Sequence, residues 1–268
     1  MSGRKQAGKP LCVLTIAGSD CGAGAGVQAD ARTIHALGGY ALMAITAVTA
    51  QNTRGVKAWR AVPVDLLRAQ MEAVLVDFPV AAIKTGLLPG AAAVRAVARA
   101  MEKFPRVPLV IDPVIGSTSG TRFLSEAGVR VLKRELLPLA ILVTPNWPEA
   151  AALSGRTLGS FSDAEAAGRD ILQSGCGAVL IKGGHAPGRR CRDILVTMDG
   201  VTAFEGSRIA TRNTHGTGCV LSAAIAMELA KGRLLETGVK NARRFLRRAL
   251  EEGRTADWGD GAGAAFIG

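Results

Sequence analysis

The chain is poor in aromatic residues and in cysteine, and each shortage excludes a class of protein. Aromatic residues make up 4% of the 268 residues and one of them is tyrosine, so a stacking platform for nucleic acid bases is not expected. The five cysteines are an odd number without a C-x-x-C pair, which indicates neither a disulfide framework nor a zinc site. Free thiols fit a reducing cytoplasm. No apolar run reaches the length of a membrane span.

The formal net charge of +11 is compatible with nucleic acid, a membrane surface or an anionic small molecule as partner, and its distribution along the chain helps to choose between them. Its densest cluster alternates with apolar residues in a helical pattern near the C-terminus, which is typical of a solvated helix face. The cluster consists of Lys240, Arg243, Arg244, Arg247 and Arg248. We therefore expect no nucleic acid and no membrane as partner, and a small molecule as ligand.

Apolar runs of β type alternate with helical stretches along most of the chain. The pattern predicts buried strands at residues 11–17, 41–50, 80–84, 107–112, 139–144 and 178–182. It predicts helices at residues 27–37, 63–78, 91–103, 125–137 and 162–174, the last with a capping box from Ser162 to Glu165. A hairpin (193–198 and 201–209) and two helices (216–230 and 235–251) follow.

Repeated βα units with short connections predict an α/β fold, a three-layer α/β/α sandwich with a mostly parallel central sheet. The chain shows no linker and no repeat, so residues 1–268 are expected to form a single domain, with residues 1–10 as a flexible tail.

The chemically suggestive residues follow the predicted strands. They are residues 18–26, Gln51, residues 84–86, Asp112, residues 146–149 and residues 182–185. Ligands of open α/β sheets bind beyond the carboxyl ends of the strands, so one site at this edge is expected.

The segment NTHGTGC precedes a predicted helix and is suited to an anion. Gly216 and Gly218, on either side of Thr217, let backbone amides approach a phosphoryl group. The start of the helix adds about half a positive charge. An ordinary glycine-rich helix start explains the segment equally well. Cys219 lies in the first turn of that helix, where the dipole is expected to lower the thiol pKa and create a general base for phosphoryl transfer. The alternative is a small packing cysteine.

The first loop, GSDCGAGAG, matches neither the dinucleotide-binding pattern nor a P-loop, because Val27 replaces the third glycine and no G-K-[ST] follows. Its glycines suit close approach to a flat ring, with Asp30 as a carboxylate acceptor. Taken alone, Asp30 is better explained as a polar helix residue.

Two carboxylates and an amide are candidates for a magnesium site. Asp112 follows one predicted strand, and Asn146 and Glu149 follow the next. Mg²⁺ uses few protein carboxylates. Asn146 and Glu149 also fit a helix-capping pair. The three histidines lack metal-ligand spacing, so zinc is not expected.

Seven motifs occur in an order that resembles hydroxymethylpyrimidine/phosphomethylpyrimidine kinases, members of the ribokinase-like superfamily. They are LTIAGSD…GAGVQAD, ITAVTAQNTRGV, IKTGLL, VIDPV, TPNWPEA, IKGGH and NTHGTGC. The resemblance implies ATP-dependent phosphorylation of 4-amino-5-hydroxymethyl-2-methylpyrimidine, then of its monophosphate, in thiamine biosynthesis. It also implies a ribokinase-like fold, and we expect a homo-oligomer, most simply a homodimer.

The resemblance implies a role for each matching residue. Gly18, Asp30 and Gln51 would surround the pyrimidine, and Leu87 and Val114 would line its pocket. Gly216, Thr217 and Gly218 would form the anion hole with Cys219 as base. Asp112, Asn146 and Glu149 would organise Mg²⁺. Lys182, Gly183 and Gly184 would face ATP. Residues 116–122 would form a mobile cover.

The chain departs from the usual family pattern at Cys21, Gly22 and Leu87, which concerns details of the pocket. Gln51 favours the pyrimidine over pyridoxal. Pyridoxal kinase is the alternative within the fold. A cysteine hydrolase using Cys219 with His215 or His185, and a nucleotide-binding sensor, are alternatives from other classes.

Overall fold

A nine-stranded sheet forms the centre of the structure, a computed structural model that describes residues 10–117, 120–185 and 190–267. The strands lie in the order β3-β2-β1-β4-β5-β6-β7-β8-β9. Their bounds are β1 Cys12–Asp20, β2 Tyr40–Asn52, β3 Gly55–Ala61, β4 Val80–Thr85, β5 Leu109–Ile111, β6 Leu142–Val143, β7 Ala178–Ile181, β8 Arg190–Thr197 and β9 Val201–Ser207. The adjacent strands β2, β1, β4, β5, β6 and β7 are parallel to one another, and the pairs β3–β2, β7–β8 and β8–β9 are antiparallel.

Helices cover both faces of the sheet. Their bounds are α1 Gly26–Ala36, α2 Val64–Asp77, α3 Gly90–Met101, α4 Glu126–Val131, α5 Trp147–Ser154, α6 Phe161–Leu172, α7 Thr217–Ala230 and α8 Leu235–Glu252. Successive strand residues point to opposite faces, so Leu14 joins the core formed with α2 to α6, and Val13 joins the core formed with α1, α7 and α8. The predicted three-layer α/β/α sandwich with a mostly parallel sheet is therefore confirmed.

Some predicted elements need correction. Strand β3 was not predicted; it follows a tight turn after Asn52 and pairs with β2 at the sheet edge, where its side chains are largely exposed. The capping box predicted at Ser162 and Glu165 is wrong, because α6 begins earlier and Ser160 forms the box with Asp163. The helix predicted at 125–137 ends as α4 and continues as a π-turn and a 3-10 turn, since Pro138 cannot donate a helical hydrogen bond.

Two interior strands of the sheet, β5 and β6, differ from the predictions in length only. The strands predicted at 107–112 and 139–144 shorten to the three residues of β5 and the two residues of β6. Residues 1–9, most of the predicted tail, lie outside the described residues. In the described part of the chain, no helix is long and apolar enough to cross a membrane.

An ion pair without solvent exposure joins two strands of the sheet to a helix on its face. Lys84 of β4 donates to both carboxylate oxygens of Asp30 of α1, at 2.9 and 2.8 Å, and Thr15 of β1 donates to Asp30 at 2.5 Å. The side chains of Lys84 and Asp30 are 0% exposed. Burial alone would lower the pKa of Lys84, but the negative charge of Asp30 outweighs it and raises that pKa.

Lys84→Met is expected to lower the free energy of unfolding by about 3 to 5 kcal/mol, because it leaves the Asp30 charge buried without its partner. The measurement is urea denaturation followed by circular dichroism. The double variant Lys84→Met, Asp30→Asn is expected to recover part of the loss.

Arg169→Ala is the matched control, because Arg169 forms an exposed i,i+4 pair with Glu165. Its expected cost is below about 0.5 kcal/mol. An equally small cost for Lys84→Met would contradict a structural role for the buried pair.

Candidate active site

The carboxyl ends of the parallel strands bring the predicted residues to one edge of the sheet. Asp20 is the last residue of β1, Gln51 is the second-to-last residue of β2, and Asp112 directly follows β5. Lys182 directly follows β7. The expectation of one site at this edge agrees with these positions.

The segment before α7 forms a tight loop against the first glycine loop. Gly216 precedes the first helical residue, Thr217, and has a φ of +76°, a conformation that side-chain-bearing residues rarely adopt. A Cβ on Gly216 would lie 1.9 Å from the carbonyl oxygen of Gly24. The two loops therefore touch through their backbones, and glycine is required for that contact.

A cluster of charges lies beside the start of α7. Lys182 donates from Nζ to Asp112 Oδ1 at 2.7 Å and lies 3.8 Å from Glu149 Oε2. A Cβ built on Gly218 would be 3.2 Å from Lys182 Nζ and 3.4 Å from Asp112 Oδ2. The structure thus brings together the predicted anion loop, two predicted metal ligands and the predicted nucleotide-facing lysine.

Asp112 and Glu149 are both buried and are held in different ways. Asp112 accepts hydrogen bonds from Thr144 at 3.3 Å and from Ser222 at 3.5 Å. Glu149 accepts from the backbone N–H of Asn146 at 2.8 Å, and Asn146 Oδ1 accepts from that of Glu149 at 2.9 Å. This reciprocal pair is the capping box at the start of α5, so the alternative explanation of the motif is correct as far as local structure goes.

Burial governs the ionisation of this cluster. It raises the pKa of Glu149 to about 7, with Asp112 adding to the rise and Lys182 opposing it. Burial also acts to lower the pKa of Lys182, but the two carboxylates outweigh it and raise that pKa. Lys182 is therefore a cation at neutral pH, while Glu149 is readily protonated.

Gly183 and Gly184, which follow Lys182, form a turn whose backbone is held by the side chain of Asp193. The backbone N–H of Gly183 donates to Asp193 Oδ1 at 2.7 Å, and Arg243 of α8 donates to the other oxygen of Asp193 at 2.6 Å. Gly184 is exposed, and its carbonyl accepts from Arg208. The side chain of His185 and residues 186–189 lie outside the described residues.

Cys219 lies in the first turn of α7 as predicted, but its predicted ionisation is wrong. Desolvation raises the thiol pKa to about 11 although the residue keeps partial exposure, and Asp30 and Asp112 add to the rise. The positive charge of Lys84 acts in the opposite direction without reversing it. The helix dipole therefore does not make this thiol a thiolate at neutral pH.

The predicted contact between Asp30 and a substrate ring is wrong. Asp30 has no exposed surface, and its two oxygens accept from Lys84 and Thr15 beneath the site. The sequence analysis placed Lys84 at the end of a predicted buried strand and in the site segment 84–86, but did not pair it with Asp30. Its position in a strand of buried residues was the available signal.

An apolar wall stands beside the first loop. Leu87 and Val114 belong to one cluster with Ala47, Phe123 and Trp59, and the rings of Trp59 and Phe123 meet edge to face at 5.5 Å. A Cβ on Gly18 would lie 3.6 Å from the Leu87 side chain. Gly18, Leu87 and Val114 are therefore together, as the predicted ring pocket requires.

The described ends of the segment predicted as a cover pair with each other. Gly116 pairs with Arg122, and the N–H of Ser117 donates to Thr121 O at 2.8 Å. Residues 118 and 119 of the segment lie outside the described residues. A covering role stays a prediction.

Sequence reasoning missed a polar pair that joins the two glycine loops. His215 Nε2 lies 2.9 Å from Asp20 Oδ2, and Gln51 Nε2 lies 3.5 Å from the same histidine nitrogen. His215 was considered only as a metal ligand or hydrolase base. The signal was Asp20 at the end of an apolar strand, directly before the glycine loop.

These features define a class of protein. A doubly wound sheet whose glycine-rich helix start lies against buried carboxylates and a lysine is the arrangement of a ribokinase-like phosphotransferase. Solved structures agree: a phosphomethylpyrimidine kinase from Clostridium difficile 630 superposes with a TM-score of 0.79 at 36% identity, covering 90% of this chain and 99% of that one.

The chain belongs to the phosphomethylpyrimidine kinase family, whose model matches residues 20–265. The hydroxymethylpyrimidine/phosphomethylpyrimidine kinase of Rhizobium meliloti (strain 1021) is 44% identical over 251 residues, which are 93% of this chain and 94% of the relative. The pyridoxal kinase of Staphylococcus aureus, solved in complex with AMP-PCP and pyridoxal, has a TM-score of 0.87 at 30% identity and covers 97% of this chain and 94% of its own. The family and the kinase class inferred from the seven motifs are confirmed.

The raised thiol pKa predicts a specific reactivity for Cys219. Alkylation by iodoacetamide is expected to be very slow at pH 7 and to accelerate about tenfold per pH unit up to about pH 10, since the thiolate is the reacting species. Mass spectrometry of the peptide that contains Cys219 measures the rate.

The same peptide in the urea-unfolded chain is the reference, where an ordinary pKa of about 8.5 applies and the rate levels off earlier. A folded-state rate that levels off below pH 8 would show that the thiol is activated after all.

Proposed function

We propose that this protein transfers the γ-phosphoryl group of ATP to the hydroxymethyl group of 4-amino-5-hydroxymethyl-2-methylpyrimidine, and then a second one to the resulting monophosphate. Family membership and the name of the Rhizobium meliloti relative support this reaction. The structural observation that carries it is the contact between the Gly218 position, Asp112 and Lys182 at the start of α7.

That contact suits the transferring group. The amides of Gly216, Thr217 and Gly218 lie at the positive end of a helix of 14 residues, and an anion there is stabilised by the dipole and by N–H donors. Lys182 lies beside them as a fixed cation. The chain thus supplies preorganised positive charge where negative charge develops in phosphoryl transfer.

The apolar wall suits the acceptor. Leu87 and Val114 offer a flat apolar surface, Gly18 allows close approach of a ring, and Gln51 supplies one donor and one acceptor at the pocket edge. Pyridoxal is the second candidate acceptor, because pyridoxal kinases are structural neighbours. The amide of Gln51 favours the aminopyrimidine, whose edge carries a donor beside an acceptor.

The turn of Gly183 and Gly184 suits the nucleotide. Gly184 is exposed at the same sheet edge, and Gly183 is anchored by Asp193, so the backbone offers a fixed surface after Lys182. AMP-PCP and ADP complexes of structural neighbours support ATP as the donor.

The carboxylates fit a magnesium ion bound together with nucleotide phosphates. In the described part of the chain, no three His, Cys, Asp or Glu side chains form a metal-binding group. Mg²⁺ characteristically uses one or two carboxylates plus phosphates and water. Asp112 and Glu149 would hold it, with Asn146 nearby, and the ion would neutralise phosphate charge.

Cys219 is proposed to receive the proton of the attacking hydroxyl. With a pKa of about 11 the thiol is protonated in most molecules of the free protein, so the accepting form is the minor thiolate, whose proton has already passed to solvent water. Lys84 favours that thiolate electrostatically from beneath the loop. Because phosphoryl transfer has a loose transition state, the attacking hydroxyl loses its proton late in the reaction. Positioning of the reactants therefore contributes most of the rate enhancement.

An assay of ADP release tests the function directly. The pyrimidine alcohol and its monophosphate are both expected to be phosphorylated with ATP, and pyridoxal is expected to have a kcat/KM at least about tenfold lower, since its ring edge lacks the amino donor. Excess chelator is expected to abolish turnover. Turnover of pyridoxal alone would assign the second candidate function.

Cys219→Ser tests the proton acceptor. It keeps the size of the side chain but removes the ionisable thiol, so kcat is expected to fall at least about 100-fold. Cys219→Asp is expected to retain more activity than Ser, because Lys84 and the helix dipole favour a carboxylate there. Steady-state kinetics and thermal denaturation measure both variants.

Cys191→Ser is the matched control, because Cys191 is also half-buried but lies in β8. Its kcat is expected to match that of the unaltered protein. Equal activity of Cys219→Ser and Cys191→Ser across pH would make Cys219 a packing residue.

The expected homodimer and cytoplasmic location stay predictions. Light scattering after size exclusion measures the first, and fractionation of cells measures the second.

A further inference from the structure

The first glycine loop contains one residue in a strained conformation. Ala23 has a φ of +56° and is the one non-glycine residue with a positive φ among the residues that the structure describes. The Cβ of an alanine makes this left-handed conformation unfavourable by about tenfold in population. Such strain persists only where other contacts stabilise it, and it is concentrated at functional sites. The conformation of Ala23 therefore depends on a stabilising contact.

Hydrogen bonds within the loop hold its N–H groups. The N–H of Ala23 donates to the backbone oxygen of Asp20 at 2.9 Å, and the N–H groups of Gly22 and Ala25 donate to the Asp20 carboxylate at 2.8 Å each. All three bonds use donors of the loop, so the carbonyl group of Ala23 needs a partner of its own.

Arg32 of α1 is that partner. Its guanidinium donates to the carbonyl oxygen of Ala23, which lies nine positions earlier in the chain. The side chain of Arg32 is half-buried, and its Nε has no hydrogen-bond partner in the described part of the chain. A charged donor stabilises its acceptor more than a neutral donor does. The bond from Arg32 is therefore strong enough to offset the unfavourable φ of Ala23.

The residue that follows Ala23 lies against the glycine loop before α7. A Cβ on Gly24 would lie 2.4 Å from His215 Cδ2, and a Cβ on Gly216 would lie 1.9 Å from the carbonyl oxygen of Gly24. A change of Ala23 to a negative φ would redirect the chain at Gly24 and break this contact. The start of α7 is therefore tied, through Gly24 and Ala23, to the side chain of Arg32.

We propose that Arg32 is a positioning residue of the phosphoryl-transfer site, which holds Ala23 in the left-handed conformation and thereby keeps the first glycine loop against Gly216. The inference rests on the proposed function, since it concerns the site of that reaction. Glycine adopts a positive φ about as readily as a negative one. Arg32 is therefore needed only while the residue at position 23 carries a Cβ.

The test removes the guanidinium in two backgrounds. Arg32→Met keeps an unbranched side chain without hydrogen-bond donors, so most molecules are expected to lose the left-handed conformation of Ala23. With saturating ATP, kcat/KM for the pyrimidine alcohol is expected to fall about tenfold, because only molecules with an intact loop are competent. In the Ala23→Gly background, Arg32→Met is expected to lower kcat/KM by less than about threefold.

Ala25→Gly is the matched control background. Ala25 lies in the same loop with a φ of −137°, an ordinary extended conformation, so a glycine there adds freedom without relieving strain. In this background, Arg32→Met is expected to lower kcat/KM about tenfold, as in the unaltered chain. Rescue in both glycine backgrounds would show that loop flexibility in general, not the conformation of Ala23, decides activity, and would overturn the inference.

Hydrogen–deuterium exchange follows the same loop without an assay of activity. The amides of Gly22, Ala23 and Ala25 are hydrogen-bonded, so they exchange when the loop opens. Arg32→Met is expected to speed their exchange about tenfold in the unaltered and Ala25→Gly chains, and less than about threefold in the Ala23→Gly chain. Mass spectrometry of the peptide that covers residues 20–26 measures the rate. A fall in kcat/KM without faster exchange would overturn the inference.

The other outcomes are also decisive. If the unaltered protein phosphorylates the pyrimidine and Arg32→Met has no effect, or the same effect with alanine and with glycine at position 23, the inference fails while the proposed function stands. If the unaltered protein phosphorylates no pyrimidine, the proposed function fails and the positioning role with it, whatever the exchange rates. Circular dichroism checks folding. Folding of Arg32→Met only in the Ala23→Gly background supports the inference, and folding in neither background overturns it.

Discussion

The site depends on a cation that has no contact with solvent. Lys84 is held by Asp30 and lies beneath the start of α7, where its charge acts on Cys219 and Asp112. A buried lysine is tolerated because its partner accepts with both oxygens and is itself bonded to Thr15. The pair thus joins β1, β4 and α1, and places positive charge under the loop that faces the ligand edge.

The two glycine loops form one unit above this pair. Gly216 and Gly24 approach so closely that neither loop can move alone without losing the contact, and Asp20 bonds to both loops. The first loop borders the apolar wall, and the second is the start of α7. The position of a ring acceptor is therefore tied to the position of the anion site, which is what transfer between two bound molecules requires.

The sequence predicted the architecture well because apolar strands alternate with helical segments, and parallel strands of this kind need helices on both faces of the sheet. It also predicted which strand ends meet, so Asp112, Glu149, Lys182 and Gly218 were foreseen as neighbours. It could not predict ion pairing between distant residues. Asp30 looked available because its partner is 54 positions away, and the Cys219 pKa depends on burial that no local pattern reveals.

Charge balance supports the magnesium ion proposed for this site. Two lysines, Lys84 and Lys182, face three carboxylates, Asp30, Asp112 and Glu149, before any nucleotide is present. The helix start contributes about half a positive charge, which does not offset the several negative charges of a triphosphate. The raised pKa of Glu149, about 7, already reflects crowding of negative charge with burial. The proposed cation, shared by carboxylates and phosphates, would relieve both, and protons would compete with it at Glu149 as the pH falls below about 7.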